Sequence, residues 1–441
     1  SAPGLSCLYL GASSYVCWGE LNRPAFDIFQ VAQINKVESI KVLDLRNPYN
    51  SIKWNPLEKV FLKYQEMLTL ENQVGYVDEE QCFLFRGEKY FEKKELEGYL
   101  QLIKQKLFDE VYEDLHDIVS LLCPVVNKSE PMWESGAKNF ILAIALAMLE
   151  DSKNPELEMT KEKYNFYNIM KIATNTENDC VQLKKYFEGR DVLSSAVSLS
   201  KQVLDTSEKT RNSYLSTVFD KLAMFSDKSI CALTSEDELQ FDDMAEKPIA
   251  LFLQIPDEKE TRHILASMVI LQAYKSLVAK ANSYPNLTLP RSVYFMLDEF
   301  GNLPKINKLE QMITVGRSRK IWLCLVVQSY AQLEKVYDVQ SADIIKSNCN
   351  IQIFIGSSDL KTITEFSKLC GNYSIVQRGV SFGTKTDDIN SSVSVKERPL
   401  IYPSELQRLN HPGDIGHSII VTFGNYPLKT FFSPSFKVPF Y

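Results

Sequence analysis

The chain has 441 residues, of which 45% are hydrophobic and 24% charged, and a formal net charge of -7. That is ordinary globular composition, long enough for two to three domains with cores that need no disulfide or metal. Nine cysteines without a Cys-x-x-Cys pair and four scattered histidines exclude a disulfide frame, a zinc site of cysteine type and a His-rich metal centre, and the acidic balance excludes a protein that coats nucleic acid electrostatically.

Residues 1–56 hold short β-like runs at 7–10 (CLYL) and 40–45 (IKVLDL), followed by Asn47-Pro48 and Asn55-Pro56, punctuation that ends an element. Residues 57–240 contain few glycines and read as successive helices. Trp133, Ala137, Phe140, Ile141, Ile144, Ala145 and Met148 recur at three- and four-residue spacing, which places an apolar stripe along a helix opened by Pro131; Tyr214, Val218, Leu222 and Phe225 repeat the pattern. Residues 76–91 (YVDEEQCFLFRGEKYF), with Arg86-Gly87-Glu88 as a turn, read as a β-hairpin or loop set among the helices. The longest purely apolar stretch, 140–149, is about half of what a helix needs to cross a bilayer. The 441 residues as given are therefore expected to be soluble, without a transmembrane segment or a start resembling a signal peptide.

From about 241 the pattern becomes strand, helix, strand. The apolar run Ile249–Ile255 is too short for a helix, and 261–278 then carries helical spacing. Runs at 293–297 (VYFML), 321–327 (IWLCLVV) and 351–355 (IQIFI) do not alternate, the signature of strands buried on both faces of a parallel sheet. The expected fold is α/β, a parallel sheet interrupted by an all-α insertion, with boundaries at 1–56, 57–240 and 241–441.

Three constellations carry chemistry. The apolar strand Val293-Tyr294-Phe295-Met296-Leu297 delivers Asp298 and Glu299 at its carboxyl end, where ligands of open α/β sheets bind. In that reading Asp298 holds Mg²⁺ through water and Glu299 polarises an attacking water; the plain alternative is a strand turning into a loop. Gln328 follows the next strand, placed to report a γ-phosphate, or else simply facing solvent. Gly316-Arg317-Ser318-Arg319-Lys320 reads equally as a helix C-cap with cations suited to the helix dipole, or as an arginine reaching a neighbouring subunit's nucleotide.

No Gly-Lys dipeptide occurs, so the phosphate loop Gly-x-x-x-x-Gly-Lys-[Ser/Thr] is absent from these residues. Its nearest imitation, 11–19, is followed by Glu20, which repels phosphate. The chain alone is expected not to bind ATP well.

The run Phe295-Met296-Leu297-Asp298-Glu299-Phe300-Gly301-Asn302-Leu303-Pro304-Lys305-Ile306, with Gly316-Arg317-Ser318-Arg319 and Val327-Gln328-Ser329-Tyr330-Ala331-Gln332-Leu333, resembles the Walker B region of TraG/TraD-type coupling proteins of conjugation and type IV secretion. In the same order follow matches at Lys41-Val42-Leu43-Asp44-Leu45, Asn55-Pro56, Met132-Trp133-Glu134, 207–216 (SEKTRNSYLS), Ile255-Pro256-Asp257, Ile353-Phe354-Ile355-Gly356, Arg398-Pro399-Leu400-Ile401 and Gly416-His417-Ser418-Ile419-Ile420-Val421. The resemblance covers nearly everything after residue 40. It implies a RecA-like P-loop NTPase-type domain interrupted by an all-α domain, assembled as a homo-hexamer at the cytoplasmic face of the bacterial inner membrane. It further implies an ATP- and Mg²⁺-dependent motor that delivers DNA with its relaxase, or protein substrates, to channel subunits.

By position, Asp298 and Glu299 match the Walker B pair, with Asp298 toward the metal. Gln328 matches the phosphate-sensing glutamine, Arg317 the interfacial arginine finger, and Arg319 is a weaker nucleotide-binding candidate. At the start, Ser13-Ser14-Tyr15-Val16 and Gly19-Glu20-Leu21 resemble the strand and turn after the phosphate-loop helix, but Cys17-Trp18 replaces the usual Asp-Pro-Lys. The expectation is an amino-terminally truncated member without the Walker A loop. The alternative function is a non-catalytic homologue that docks relaxase or channel subunits.

Overall fold

The computed structural model describes residues 6–12, 39–78, 81–124, 130–256, 259–382, 389–410 and 416–431. The expectations for 13–21 and for Asp257 lie outside the described residues.

A five-stranded sheet organises the molecule: β1 (Ser6–Ala12), β2 (Ser39–Asp44), β6 (Ile249–Ile255), β7 (Val293–Leu297) and β8 (Ile321–Leu325), in the order β2-β6-β1-β7-β8. Every pairing is parallel. The expectation of strands buried on both faces holds best for β6, where Ile249, Ala250, Leu251, Leu253 and Ile255 are all buried. It fails for the edge strand β8, whose Trp322 is 39% exposed, and β7 exposes Met296, because among the described residues nothing covers the second face there as it does at the centre of the sheet. The register sets Val42 beside Phe252 and Phe295 beside Leu323.

Between β2 and β6 the chain leaves the sheet and returns to it after about two hundred residues. This excursion carries α1 (Glu58–Thr69), the small antiparallel sheet β3-β4-β5 (Gly75–Val77, Cys82–Phe85, Glu88–Tyr90), then α2 (Lys93–Leu122), α3 (Met132–Asp151), α4 (Phe166–Ala173), α5 (Glu177–Glu188), α6 (Ser195–Leu204), α7 (Glu208–Leu222) and α8 (Lys228–Leu233). The turn joining β4 to β5 uses Arg86 and Gly87, both at positive φ, with Phe85 paired to Glu88. That is the two-residue hairpin whose twist suits the strands it joins. Helix α3 starts as a striped helix, with Glu134, Ser135, Lys138 and Asn139 on its outer face, and becomes apolar all round where it enters the centre of the helical region: residues 140–149 are buried without exception. Phe140 of α3 and Leu43, Leu253 and Phe295 of the sheet belong to one continuous hydrophobic core.

After β6 come α9 (His263–Asn282), then α10 (Leu309–Gly316) between β7 and β8, and α11 (Tyr330–Tyr337) and α12 (Val339–Asn348) beyond β8. Helix α9 is long and apolar enough to cross a membrane by length and composition. Here its Leu265, Val269, Ile270 and Leu277 are fully buried in the core.

The structure differs from the sequence reading at β9 (Ile351–Phe354). Instead of joining the parallel sheet, β9 is the edge of a second, antiparallel sheet ordered β13-β12-β9, with β12 at His417–Thr422 and β13 at Leu428–Phe431. Ile351 and Ile353 are 62% and 52% exposed, whereas Phe354 is buried against α13 (Leu360–Leu369) through Ile363 and Phe366. The run alternates by face although every second residue happens to be isoleucine, so apolarity concealed the period of two. A long ribbon, β10 (Asn372–Phe382) with β11 (Ile389–Pro399), and the short α14 (Pro403–Gln407) complete the elements.

Candidate nucleotide crevice

Strands β7 and β8 lie side by side, with Leu297 opposite Leu325. Their pairing continues past the regular ladder: the Val326 amide donates to the Leu297 carbonyl at 2.9 Å, and the Phe300 amide donates to the Val326 carbonyl at 2.9 Å. These two bonds bring Asp298 and Glu299 to the same carboxyl end of the sheet as Gln328, in the place where open α/β sheets receive ligands.

Glu299 adopts left-handed backbone angles, φ 49° and ψ 35°. For a residue with a Cβ this costs on the order of 1 kcal/mol. It is the kink that turns the chain out of β7: Glu299 N donates to Asp298 Oδ1 at 3.0 Å, and the Asn302 amide closes a short turn on the Glu299 carbonyl at 2.8 Å. Asp298 and Glu299 are both half-buried, and Gln328 is exposed. The negative charge at Asp298 is felt across the ladder: burial first, and then Asp298, push the Cys324 thiol above its ordinary value.

The surrounding side chains fix this arrangement. Asn302 Nδ2 donates to Glu299 Oε2 at 3.3 Å, and Gln332 Nε2 donates to Asn302 Oδ1 at 2.6 Å. Ser357 Oγ donates to the Gln328 carbonyl at 3.2 Å. Buried His263 sets Nδ1 3.2 Å from the Asn302 carbonyl and Nε2 3.0 Å from the Pro256 carbonyl, which joins the segments leaving β6 and β7. Asn302 and Gln332 stand inside the motif, where the sequence alone assigns them no role. Their carboxamides, three residues after Glu299 and four after Gln328, were the only signal.

Arg317 and Arg319 are not brought to this crevice. They form the short turn before β8, and the Val293 amide donates to the Lys320 carbonyl at 3.0 Å, so both stand at the amino end of the sheet. At about 3.3 Å per residue, five residues of strand put them on the order of 17 Å from Asp298 of the same chain. Arg319 donates instead to Asn282 Oδ1 at 3.4 Å and Ser318 Oγ at 3.2 Å. Arg317 is exposed.

The donor set fits a hard cation held loosely. One strand-end carboxylate, Asp298, with room for water is how Mg²⁺ is usually bound when a substrate's phosphates supply the other oxygens. Among the described residues, no group of three or more His, Cys, Asp or Glu side chains is placed to hold a metal by itself.

A family model described as "Type IV secretory system Conjugative DNA transfer" matches residues 31–433. The VirD4 protein of Agrobacterium fabrum (strain C58 / ATCC 33970) is 28% identical over 224 residues, which covers 50% of this chain and 32% of that protein. A conjugal transfer protein TraG of Escherichia coli is 26% identical over 227 residues, 49% of this chain and 36% of its own length. The matched regions thus span about a third of these curated relatives. Among solved structures, the bacterial conjugative coupling protein TrwBdeltaN70 in its unbound monoclinic form superposes with a TM-score of 0.57 at 14% identity, covering 99% of this chain and 87% of that one. TrwB in complex with the non-hydrolysable ATP analogue ADPNP gives 0.57 at 15% identity with the same coverage. TrwB with ADP and Mg²⁺ gives 0.54 at 14% identity, covering 97% and 85%. At these identities the likeness establishes the fold.

Proposed function

The chain belongs to the type IV secretory system conjugative DNA transfer family, and from that premise we propose that it forms the Walker B half of an ATP-driven coupling motor. The cargo in this reading is DNA with its relaxase, or a protein substrate, handed to the subunits of a type IV secretion channel. The motor works as a homo-hexamer at the cytoplasmic face of the inner membrane. The observation that carries the reading is the convergence of Asp298, Glu299 and Gln328 at the carboxyl end of two adjacent parallel strands, locked by the Phe300–Val326 backbone bond.

Bound magnesium would neutralise charge on the β- and γ-phosphates. Asp298 is the residue that would hold that cation. Glu299, turned out of β7 by its left-handed backbone, accepts a proton from the attacking water. Gln328 contributes a neutral amide toward the terminal phosphate. Arg317, exposed and remote from its own Asp298, serves a neighbouring subunit's crevice. The helical excursion between β2 and β6 meets the substrate.

The 441 residues contain no Gly-Lys dipeptide, and in this reading polypeptide outside them supplies the phosphate cradle. Isothermal titration and phosphate release test this on two proteins: the chain as given, and the chain extended at its amino terminus by a segment ending in Gly-x-x-x-x-Gly-Lys-[Ser/Thr]. Expected are no saturable ATP binding in the first and magnesium-dependent hydrolysis in the second. Hydrolysis by the first would sink the site assignment. Silence of both, with retained binding to a relaxase, would favour a docking protein without catalysis.

A further inference from the structure

Two carboxamide side chains connect the groups on β7 and β8. Asn302 Nδ2 donates to Glu299 Oε2, Gln332 Nε2 donates to Asn302 Oδ1, and Gln332 Oε1 accepts from the backbone amide of Gln328 at 3.3 Å. A carboxamide both donates and accepts from one rigid plane, so two in series transmit orientation as well as contact. We propose that Asn302 and Gln332 are positioning residues that register the Glu299 carboxylate to the Gln328 loop, so that displacement of Gln328 is passed to Glu299.

Three further features hold the ends of this series. Gln332 sits in the first turn of α11, where its own amide donates to the capping Ser329 Oγ at 3.2 Å. At the far end of α11, Tyr337 stacks on Phe300 with ring centroids 5.6 Å apart, so the helix and the loop that carries Glu299 are packed together. Between them lies Gly301: a Cβ there would stand 2.5 Å from Gln332 Cδ, inside any real contact distance. The loop is shaped to let the Gln332 amide through.

The functional half of this proposal rests on the nucleotide reading of the crevice; the structural half does not. Hydrogen exchange on the 441-residue chain therefore comes first, read at peptides covering residues 326–330. Gln332→Ala and Asn302→Ala should each speed exchange there by roughly five- to tenfold, and the double variant should add little, because both cut one series. Glu299→Ala should speed exchange in the native background and have no further effect beside Asn302→Ala. Asn302→Asp, nearly the same shape, keeps the acceptor for Gln332 but loses the donor to Glu299, so it should speed exchange to the same extent as Glu299→Ala. Additive effects of Asn302→Ala and Gln332→Ala would overturn the relay. In the extended protein of the preceding section, Asn302→Asp should lower kcat at least tenfold while KM for ATP stays within twofold. A rise in KM alone would assign Asn302 to binding and overturn the positioning role. If no protein hydrolyses ATP, the motor reading fails by itself, and the exchange cycle still decides whether the two loops are coupled.

Discussion

Nζ of Lys275 on α9 lies 2.7 Å from Oδ1 of Asp114 on α2, and this pair joins the sheet-bearing part of the chain to the helical excursion. Lys275 also reaches Asp117 Oδ2 at 2.7 Å, and Lys63 meets the other Asp114 oxygen at 2.7 Å. Burial by itself would raise Asp114, but Lys275 and Lys63 outweigh it and hold the carboxyl below its ordinary value. Burial would likewise lower Lys275, and the two aspartates more than reverse this.

Lys275→Met should therefore cost about 1–2 kcal/mol at pH 7, between the worth of an exposed and a buried ion pair. The sign follows from the two shifts. Asp114, depressed on folding, stabilises above the unfolded aspartate value of about 3.9 and loses this as pH falls through its folded value. Lys275, raised on folding, stabilises below about 10.4 and loses this as pH climbs through its own. Urea melts of both proteins across pH 3 to 8 should show the gap closing at the acid end. A constant gap would mean that the methionine disturbs packing rather than charge.

Asp237 predicts the opposite sign. Burial raises it from 3.8 to about 6, against a bond from the Leu239 amide to Oδ1 at 2.7 Å. Between those values the folded chain binds more protons than the unfolded one, so folding loses stability as pH rises and the full penalty applies above 6. Asp237→Asn keeps an acceptor for Leu239 and cannot ionise. It should gain about 1–2 kcal/mol at pH 8 and nothing below pH 4 in the same melts.

Gly136 in α3 should not tolerate alanine. A Cβ there would lie 2.2 Å from Tyr214 Cε1, and Trp133, with its ring centroid 5.0 Å from that of Tyr214, blocks the ring's retreat. Alanine favours a helix over glycine by about 1 kcal/mol, yet overpacking costs about 1–3 kcal/mol. The net expectation is a loss of about 1–2 kcal/mol, cancelled in Gly136→Ala/Tyr214→Leu. A single variant as stable as the parent in thermal melts would show that the α3–α7 contact gives way.

Glu299→Gln separates binding from turnover in the amino-terminally extended protein. The substitution removes the proton acceptor but leaves Asp298 for the metal. Phosphate release should fall by about 10²- to 10⁴-fold while the titrated ATP affinity stays within about threefold. Retention of full activity would remove Glu299 from the mechanism.

The local chemistry of this protein was written in its sequence. Continuous apolar runs specified β6, β7 and β8 as strands, although only β6 is close to buried on both faces while Met296 of β7 and Trp322 of β8 reach solvent, and the three- and four-residue spacing around Phe140 specified α3. Asp298, Glu299 and Gln328 could be placed at strand ends because each directly follows such a run. What residues 351–355 would pair with was not legible: isoleucine on the exposed face made an antiparallel edge look like a central strand, and only β12, some sixty residues later, decides it. The distance of Arg317 from its own Asp298 follows from parallel pairing, which sends the two ends of neighbouring strands to opposite sides of the sheet. The Asn302–Gln332 bond lay beyond the sequence for a related reason. It joins residues thirty positions apart, and their meeting depends on a strand register, on the left-handed turn at Glu299 and on a missing Cβ at Gly301, geometry that exists only once β7, β8 and α11 have packed.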